Sequence, residues 1–129
     1  MKKFNPSMPP PNISLPIVQS LVVAYKIWHE YLLKLPKTTR YTLGTKIDNI
    51  FATTIENIFI ASLKDRSQKL GYLTTASDRL DLLKFFLQIA WEIKALDNKK
   101  YITLSKKLNE IGKMLGGWQK QTKTPQRSF

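Results

Sequence analysis

The stretch that decides the fold is residues 101–118, which read YITLSKKLNEIGKMLGGW. Large apolar side chains recur in it at alternating spacings of three and four residues: Tyr101, Leu104, Leu108, Ile111, Leu115 and Trp118. Side chains at this spacing share one face of an α-helix and form the seam of a coiled-coil-like bundle. The pattern predicts a helix that begins at a cap on Asp97 or Asn98 and stops near Gly116 and Gly117.

The same periodicity predicts three earlier helices. The first spans about 15–34, between a cap on Ser14 and a stop at Pro36. The second begins at a Thr38 or Thr39 cap and continues to about 68–70, and the third spans about 76–96. A break at Gly71-Tyr72 separates these two, with capping hydroxyls on Thr74, Thr75 and Ser77. The residues predicted to face the core are Ile17, Leu21, Ala24, Trp28, Leu32, Leu35, Leu43, Ile47, Ile50, Thr54, Ile58, Ala61, Leu80, Leu83, Leu87, Ala90 and Ile93.

Short connections and the absence of any strand pattern predict an all-α fold, an antiparallel up-down-up-down four-helix bundle. The bundle domain covers residues 16–121. A proline-rich extended arm (1–15) precedes it, and a basic disordered tail (122–129) follows. The second helix also carries Phe51, Ile55, Phe59 and Ile60 beside its main apolar face, so it is either central in the bundle or buried at a subunit interface.

Charge is the most informative bulk property of the chain. Its 21 Lys and Arg against 9 Asp and Glu give a net charge of +12. Such a positive density favours an anionic partner such as a phosphate backbone. The chain has no cysteine, which excludes disulfides and thiolate metal sites. No apolar run approaches the roughly 20 residues of a membrane span, and prolines interrupt the basic start, so we expect a cytoplasmic protein with no membrane partner.

The residues of a catalytic site are missing from the sequence. The single histidine, His29, has no cysteine or second histidine to join it, and is interpreted as a surface or boundary residue of the first helix. The carboxylates are scattered, and no glycine-rich phosphate loop occurs. The sequence therefore predicts a protein that is not an enzyme and needs no cofactor or metal.

The candidate binding site is a lysine row on the fourth helix: Lys99, Lys106, Lys113 and Lys120, each seven residues apart. Such residues drift only about 20° per step around an α-helix, so they form one stripe opposite the apolar seam. Lys107 lies beside it. Because Glu110 is the only acid after Asp97, the row is predicted to bind nucleic acid; the alternative is an ordinary solvent face.

A second, weaker basic group surrounds the first helix connection and comprises Lys34, Lys37, Arg40 and Lys46. Aromatic side chains could also stack on bases, but most of them fall on or beside apolar faces, which favours core packing.

Three segments carry a family resemblance: residues 35–44 (LPKTTRYTLG), residues 82–92 (LLKFFLQIAWE) followed by Lys99-Lys100-Tyr101, and residues 111–118 (IGKMLGGW). They resemble the accessory variability determinants of diversity-generating retroelements over about residues 16–121. The last segment is the most specific of the three. Bundle proteins encoded in intervening sequences of 23S ribosomal RNA genes share much of the pattern.

The resemblance implies a homopentameric barrel that binds nucleic acid (template RNA, cDNA or their hybrid) and a reverse transcriptase. In such a complex the accessory protein supports mutagenic reverse transcription and retrohoming without catalytic residues of its own. Two alternatives remain open at this point. One is a bundle of the ribosomal-RNA intervening-sequence type, and the other is a protein-interaction bundle that does not bind nucleic acid.

Overall fold

A computed structural model describes residues 15–124, which form four long helices and contain no strand. Helix α1 is Pro16–Lys34. Helix α2 begins with a turn at Lys37–Thr39, passes through a π-helical turn at Arg40–Gly44 and continues as Thr45–Leu63. Helices α3 and α4 are Arg66–Glu92 and Asn98–Lys123. The predicted all-α class with four helices is confirmed. The Ser14 cap, the arm up to residue 14 and the tail from residue 125 lie outside the described residues.

The start of α4 and both ends of α1 lie close to their predicted positions. Helix α1 has proline in its first turn, where the missing N–H would have no helical partner. It ends before Pro36, which cannot continue it. The carboxylate of Asp97 accepts the backbone N–H of Lys100 at 2.8 Å, so the predicted Asp97 cap is confirmed.

The predicted boundary between α2 and α3 was wrong. Helix α2 ends at Leu63, and Asp65 caps α3 by accepting the N–H of Gln68 at 3.2 Å and the hydroxyl of Ser67 at 2.7 Å. Gly71 lies inside α3. A glycine in a helix interior costs only about 1 kcal/mol, and the burial of Leu73 and Ala76 on the next turn outweighs that.

The predicted capping roles of Thr74, Thr75 and Ser77 were therefore also wrong, since all three residues lie inside α3. The Thr75 hydroxyl donates to the carbonyl of Gly71 at 3.1 Å, a bond within the helix.

The C-terminal ends of α3 and α4 also differ from prediction. Helix α3 ends at Glu92. Lys94 then turns the chain in the left-handed region, with φ 64°, so Ile93 is exposed and Leu96 enters the core instead. Helix α4 continues through Gly116 and Gly117 to Lys123. The Arg66 guanidinium donates to the carbonyl oxygens of Gln121 and Thr124, which supports helix beyond the expected stop and into the first residues of the expected tail at 122–129.

The core lies along the bundle axis and receives side chains from all four helices. The predicted inward residues are buried except Ile93, with Leu32 and Leu43 half-buried. Trp28 and Phe51 are its largest fully buried side chains, and their rings stack with centroids 6.5 Å apart. Thr54 is buried as predicted, and its hydroxyl donates to the Ile50 carbonyl at 2.8 Å.

Each helix packs against two neighbours. The packing is most extensive between α2 and α3 and sparsest between α1 and α2. Side-chain contacts mark the pairs: Trp28 with Asp48, Lys64 with Tyr72, Trp91 with Tyr101, and Lys100 with Tyr31. Within residues 15–124, every helix is too short or too polar to cross a membrane.

Candidate nucleic-acid interface

Helix α4 divides into a buried face and a cationic face. Leu104, Leu108, Ile111 and Leu115 are buried, whereas all four members of the lysine row, Lys99, Lys106, Lys113 and Lys120, are exposed. At 1.5 Å rise per residue, successive ammonium groups are anchored about 10.5 Å apart along the helix. All four lysines of the row are therefore exposed on α4, away from its buried side chains.

Lys107 lies off the row, on the side of α4 that turns toward α1. Its side chain is half-buried, and its Nζ lies 3.8 Å from a carboxylate oxygen of Glu110. This is the one ion pair among residues 15–124. An exposed pair of this kind contributes little to stability, but it offsets part of the charge that Lys107 would offer to a phosphate.

The residues of the second basic group differ in whether their charged ends are free to bind a ligand. Lys34, Lys37 and Lys46 are exposed, and the Lys46 ammonium lies 5.8 Å from the centre of the Phe86 ring. Arg40 is different, because its guanidinium donates to the carbonyl oxygens of Leu33 at 2.8 Å and Leu35 at 3.0 Å. It closes the C-terminal end of α1, where unpaired carbonyls need donors.

The two basic groups meet at one end of the bundle. The Lys100 ammonium lies 5.4 Å from the centre of the Tyr31 ring, which places the start of α4 beside the end of α1. Lys99 therefore lies at the same end as Lys34 and Lys37. The row then leads away toward the opposite end, where Lys69 covers the Trp118 ring at 5.6 Å.

Sequence reasoning missed Lys84, which reaches the same surface from α3. Its Nζ lies 3.3 Å from the position that a Cβ on Gly112 would take, so it occupies the groove between α3 and α4, beside Lys113. It has no carboxylate partner within residues 15–124. Residue periodicity on α4 cannot find a lysine on another helix, although Gly112 in the middle of a helix signals close approach by a neighbour.

The uncovered apolar surfaces within residues 15–124 include two that lie on different helices. The first is the α1–α2 depression, an open cavity of about 360 Å³ lined by Tyr25, Ala52, Ile55, Glu56 and Phe59. It contains part of the surplus apolar surface predicted for the second helix. The second is the α3 stripe, formed by Leu82, Phe85 and Ile89 on the helix and by Ile93 at its C-cap. Phe85 is 55% exposed and Ile93 57%.

The α1–α2 depression is lined mainly by apolar surface, and one lining residue, Tyr25, forms a hydrogen bond to a carboxylate outside the lining. The Tyr25 hydroxyl donates to Asp48 at 2.8 Å, and the pKa of Tyr25 is raised by burial and by that carboxylate. His29 is exposed, as predicted, and stacks on Tyr25 with ring centroids 6.1 Å apart. No group of three metal-ligating side chains occurs within the described range 15–124.

Comparison with known proteins identifies a family and a solved structure of similar fold. A family model described as bAvd-like matches residues 17–122. No curated protein sequence matches the chain significantly. A solved structure of a protein of unknown function from the S23 ribosomal protein family, from Bacteroides thetaiotaomicron, is similar in fold. Its TM-score is 0.67 at 15% identity, over 81% of this chain and 94% of that one.

Proposed function

Since the chain belongs to the bAvd-like family, we propose that it is an accessory protein of a diversity-generating retroelement. In this role it binds nucleic acid and a reverse transcriptase, supports mutagenic reverse transcription in the cytoplasm, and contributes no catalytic residue. The observation that carries the proposal is the lysine row: Lys99, Lys106, Lys113 and Lys120 are exposed together along one face of α4.

The row suits a phosphate backbone for electrostatic reasons. Each lysine that neutralises a phosphate releases a condensed counterion, so affinity rises with the number of contacts and falls steeply with salt. Only Glu110 interrupts the positive charge of α4, and it is paired with Lys107. Lys84 widens the surface from α3. Phosphate contacts carry no base information, so RNA, DNA and their hybrid are all candidate ligands of the row.

We further propose that the protomer is an antiparallel up-down-up-down bundle. Its support is the order of contacts between neighbouring helices. Along α1 and α2, Trp28 contacts Asp48 and Leu32 lies over Gly44. Along α3 and α4, Trp91 contacts Tyr101 and Lys69 contacts Trp118. In each of these two pairs of helices, the contact with the higher residue number on one helix has the lower residue number on the other, as antiparallel packing requires.

The proposed assembly is a homopentamer. Its support in this chain is the pair of uncovered apolar surfaces, the α1–α2 depression and the α3 stripe, which are unlike each other and lie on different helices. Contact between two unlike surfaces is heterologous, and such contacts close into rings when the rotation permits. The number five is what the family resemblance implies.

A second candidate function rests on the fold relative from the S23 ribosomal protein family. In that reading the chain is a ribosomal-RNA intervening-sequence bundle. The neighbouring genes distinguish the two candidates: a reverse transcriptase gene and template repeat accompany the first, and a 23S intervening sequence surrounds the second.

The deciding experiment is the light-scattering mass of the full chain, alone and with a mixed-sequence RNA–DNA hybrid, across a salt series. Co-purification with a reverse transcriptase encoded by a neighbouring gene completes the test. A pentamer mass, a steep loss of binding with salt and a co-purifying polymerase are the expected results. A monomer whose mass is unchanged by the hybrid at low salt would overturn the proposal and leave a bundle that binds only protein.

A further inference from the structure

Trp91 is the most exposed of the three tryptophans, and its indole is held in a fixed orientation. The residue is 38% exposed. One ring face stacks on Tyr101, with centroids 5.3 Å apart and planes 18° apart. The Nε1–H donates to the side-chain oxygen of Asn98 at 2.6 Å. One face and one edge of the ring are thus fixed by the protein, which leaves the rest available for a ligand.

The free part of the indole lines a surface cavity at the turn between α3 and α4. The cavity has a volume of about 440 Å³, and its other lining residues are Glu92, Lys94, Leu96, Asp97 and Asn98. Binding sites for small molecules begin at roughly 300 Å³, so a single nucleobase fits. Leu96 is buried and gives the cavity an apolar floor.

The cavity lies next to the first residue of the lysine row along the chain. Asn98, which accepts the Trp91 hydrogen bond, precedes Lys99, the first member of the row, and Lys94 lies on the other side of the turn. A strand whose phosphates follow the row away from Lys99 would therefore bring its terminal nucleotide to the Trp91 ring.

We infer that this cavity, the Trp91 cavity, binds an unpaired nucleobase stacked on the Trp91 indole, at the end of a strand held by the lysine row. The inference rests on the proposed nucleic-acid binding. Stacking on an aromatic side chain stabilises a bound single strand with little dependence on sequence. A base inside a duplex is already paired and stacked, so the site favours unpaired ends.

The carboxylates that line the cavity favour binding of a nucleobase over binding of a phosphate. The carboxylate of Asp97 accepts the Lys100 N–H, and that of Glu92 accepts the Gln88 amide at 3.2 Å. Remaining carboxylate lone pairs can accept from the exocyclic amino group of a base, whereas they repel a phosphate. Phosphates therefore belong on Lys94 and Lys99, outside the aromatic contact.

The test compares Trp91→Leu with Trp91→Phe. Both variants lose the hydrogen bond to Asn98, but only the leucine variant loses the aromatic face. Binding is measured for a mixed-sequence single strand of twelve nucleotides and for its duplex, over a salt series. We expect Trp91→Leu to weaken single-strand binding about tenfold and Trp91→Phe to stay within about twofold. Duplex binding and the salt slope should not change, because no charge is lost.

Equal losses in both variants, or no loss in either while the wild type binds, would overturn the inference and leave the proposed function standing. Absence of binding by the wild type at low salt would overturn both. A second measurement uses the unmodified chain: a 5-bromouracil-substituted single strand is crosslinked by light and the modified peptide is mapped. Crosslinking at Trp91 is expected, and crosslinking only elsewhere would contradict the inference.

Discussion

The indole of the fully buried Trp28 donates its Nε1–H to a carboxylate oxygen of Asp48 at 3.1 Å. The same oxygen accepts the hydroxyl of Tyr25 at 2.8 Å. Because α1 and α2 pack less extensively than the other neighbouring pairs, this shared acceptor is a main polar link between them. It also satisfies the one polar atom that Trp28 brings into the core.

Replacing Asp48 with alanine should lower the free energy of unfolding by about 2 kcal/mol, because a buried N–H and a half-buried hydroxyl lose their acceptor. Asp48→Asn keeps one acceptor oxygen and should lower the free energy of unfolding by less. Urea denaturation measures both. Asp81→Ala removes an exposed carboxylate from α3 and serves as the control, expected within about 0.5 kcal/mol of wild type. An Asp48→Ala variant as stable as Asp81→Ala would contradict the role given to Asp48.

Two helical glycines should respond to alanine with opposite signs. A Cβ on Gly44 would lie 2.8 Å from Leu32 Cδ1 and 3.3 Å from the carbonyl oxygen of Thr39, so Gly44→Ala should destabilise by about 1–3 kcal/mol through overpacking. A Cβ on Gly71 meets nothing within 4 Å, and Gly71→Ala should stabilise by about 0.5–1 kcal/mol. Thermal unfolding of the two variants measures the difference, and a shift of the same sign in both would refute the packing argument.

Charge reversal on the lysine row should weaken nucleic-acid binding and flatten its salt dependence. Lys113→Glu removes one phosphate contact, so the slope of log affinity against log salt should fall by about 1 on a duplex. Lys26→Glu is the matched control, because Lys26 is also an exposed lysine within a helix but lies on α1. Fluorescence anisotropy at several salt concentrations measures the affinity and the salt slope of both variants. Equal effects of the two changes would show that net charge alone, and not the row, governs binding.

The cap on α3 should contribute to the acid dependence of stability. The Ser67 hydroxyl and the Gln68 N–H both donate to Asp65 and lower its pKa below the usual range. A carboxyl whose pKa is lower in the folded state stabilises fully above its unfolded value, about 3.9, and this contribution is lost as the pH falls through the folded value. Asp65→Asn keeps a capping oxygen but does not titrate.

Unfolding free energy should accordingly fall more steeply between pH 5 and pH 2 in the wild type than in Asp65→Asn. Denaturant titrations at each pH measure both curves, and the other carboxylates, common to both proteins, cancel in the difference. Parallel curves for the two proteins would contradict the assignment.

Sequence periodicity predicted the parts of the fold where one strong pattern runs without interruption. Residues 101–118 alternate apolar spacings of three and four, and every predicted seam residue there is buried or half-buried. The α2–α3 boundary was missed because Lys64 and Asp65 include neither glycine nor proline. A capping signal was present, since Asp65 is followed three residues later by Gln68. The predicted boundary was placed at Gly71 instead. The free-energy cost of a glycine in the helix is smaller there than the stabilisation from the packing of neighbouring residues.

The candidate site was predictable only where it lies on one helix. The lysine row follows from a seven-residue spacing on α4, which needs no tertiary information. Lys84 and the exposure of Trp91 depend on how α3 ends and packs against α4, and no local pattern encodes either. Arg40 is a residue that the sequence assigned to ligand binding and that the fold uses itself. Its guanidinium donates to the carbonyl oxygens of Leu33 and Leu35.

The π-helical turn at Arg40–Gly44 has a consequence for how chain length can change. A π turn is an α-helix that accommodates one additional residue. Loss of a single residue within this turn would convert it to regular α-helix while Ile47, Ile50 and Phe51 keep their places in the core. The same loss a few residues later would rotate every following side chain by about 100° and expose that face. Single-residue length variation in α2 should therefore concentrate at 40–44.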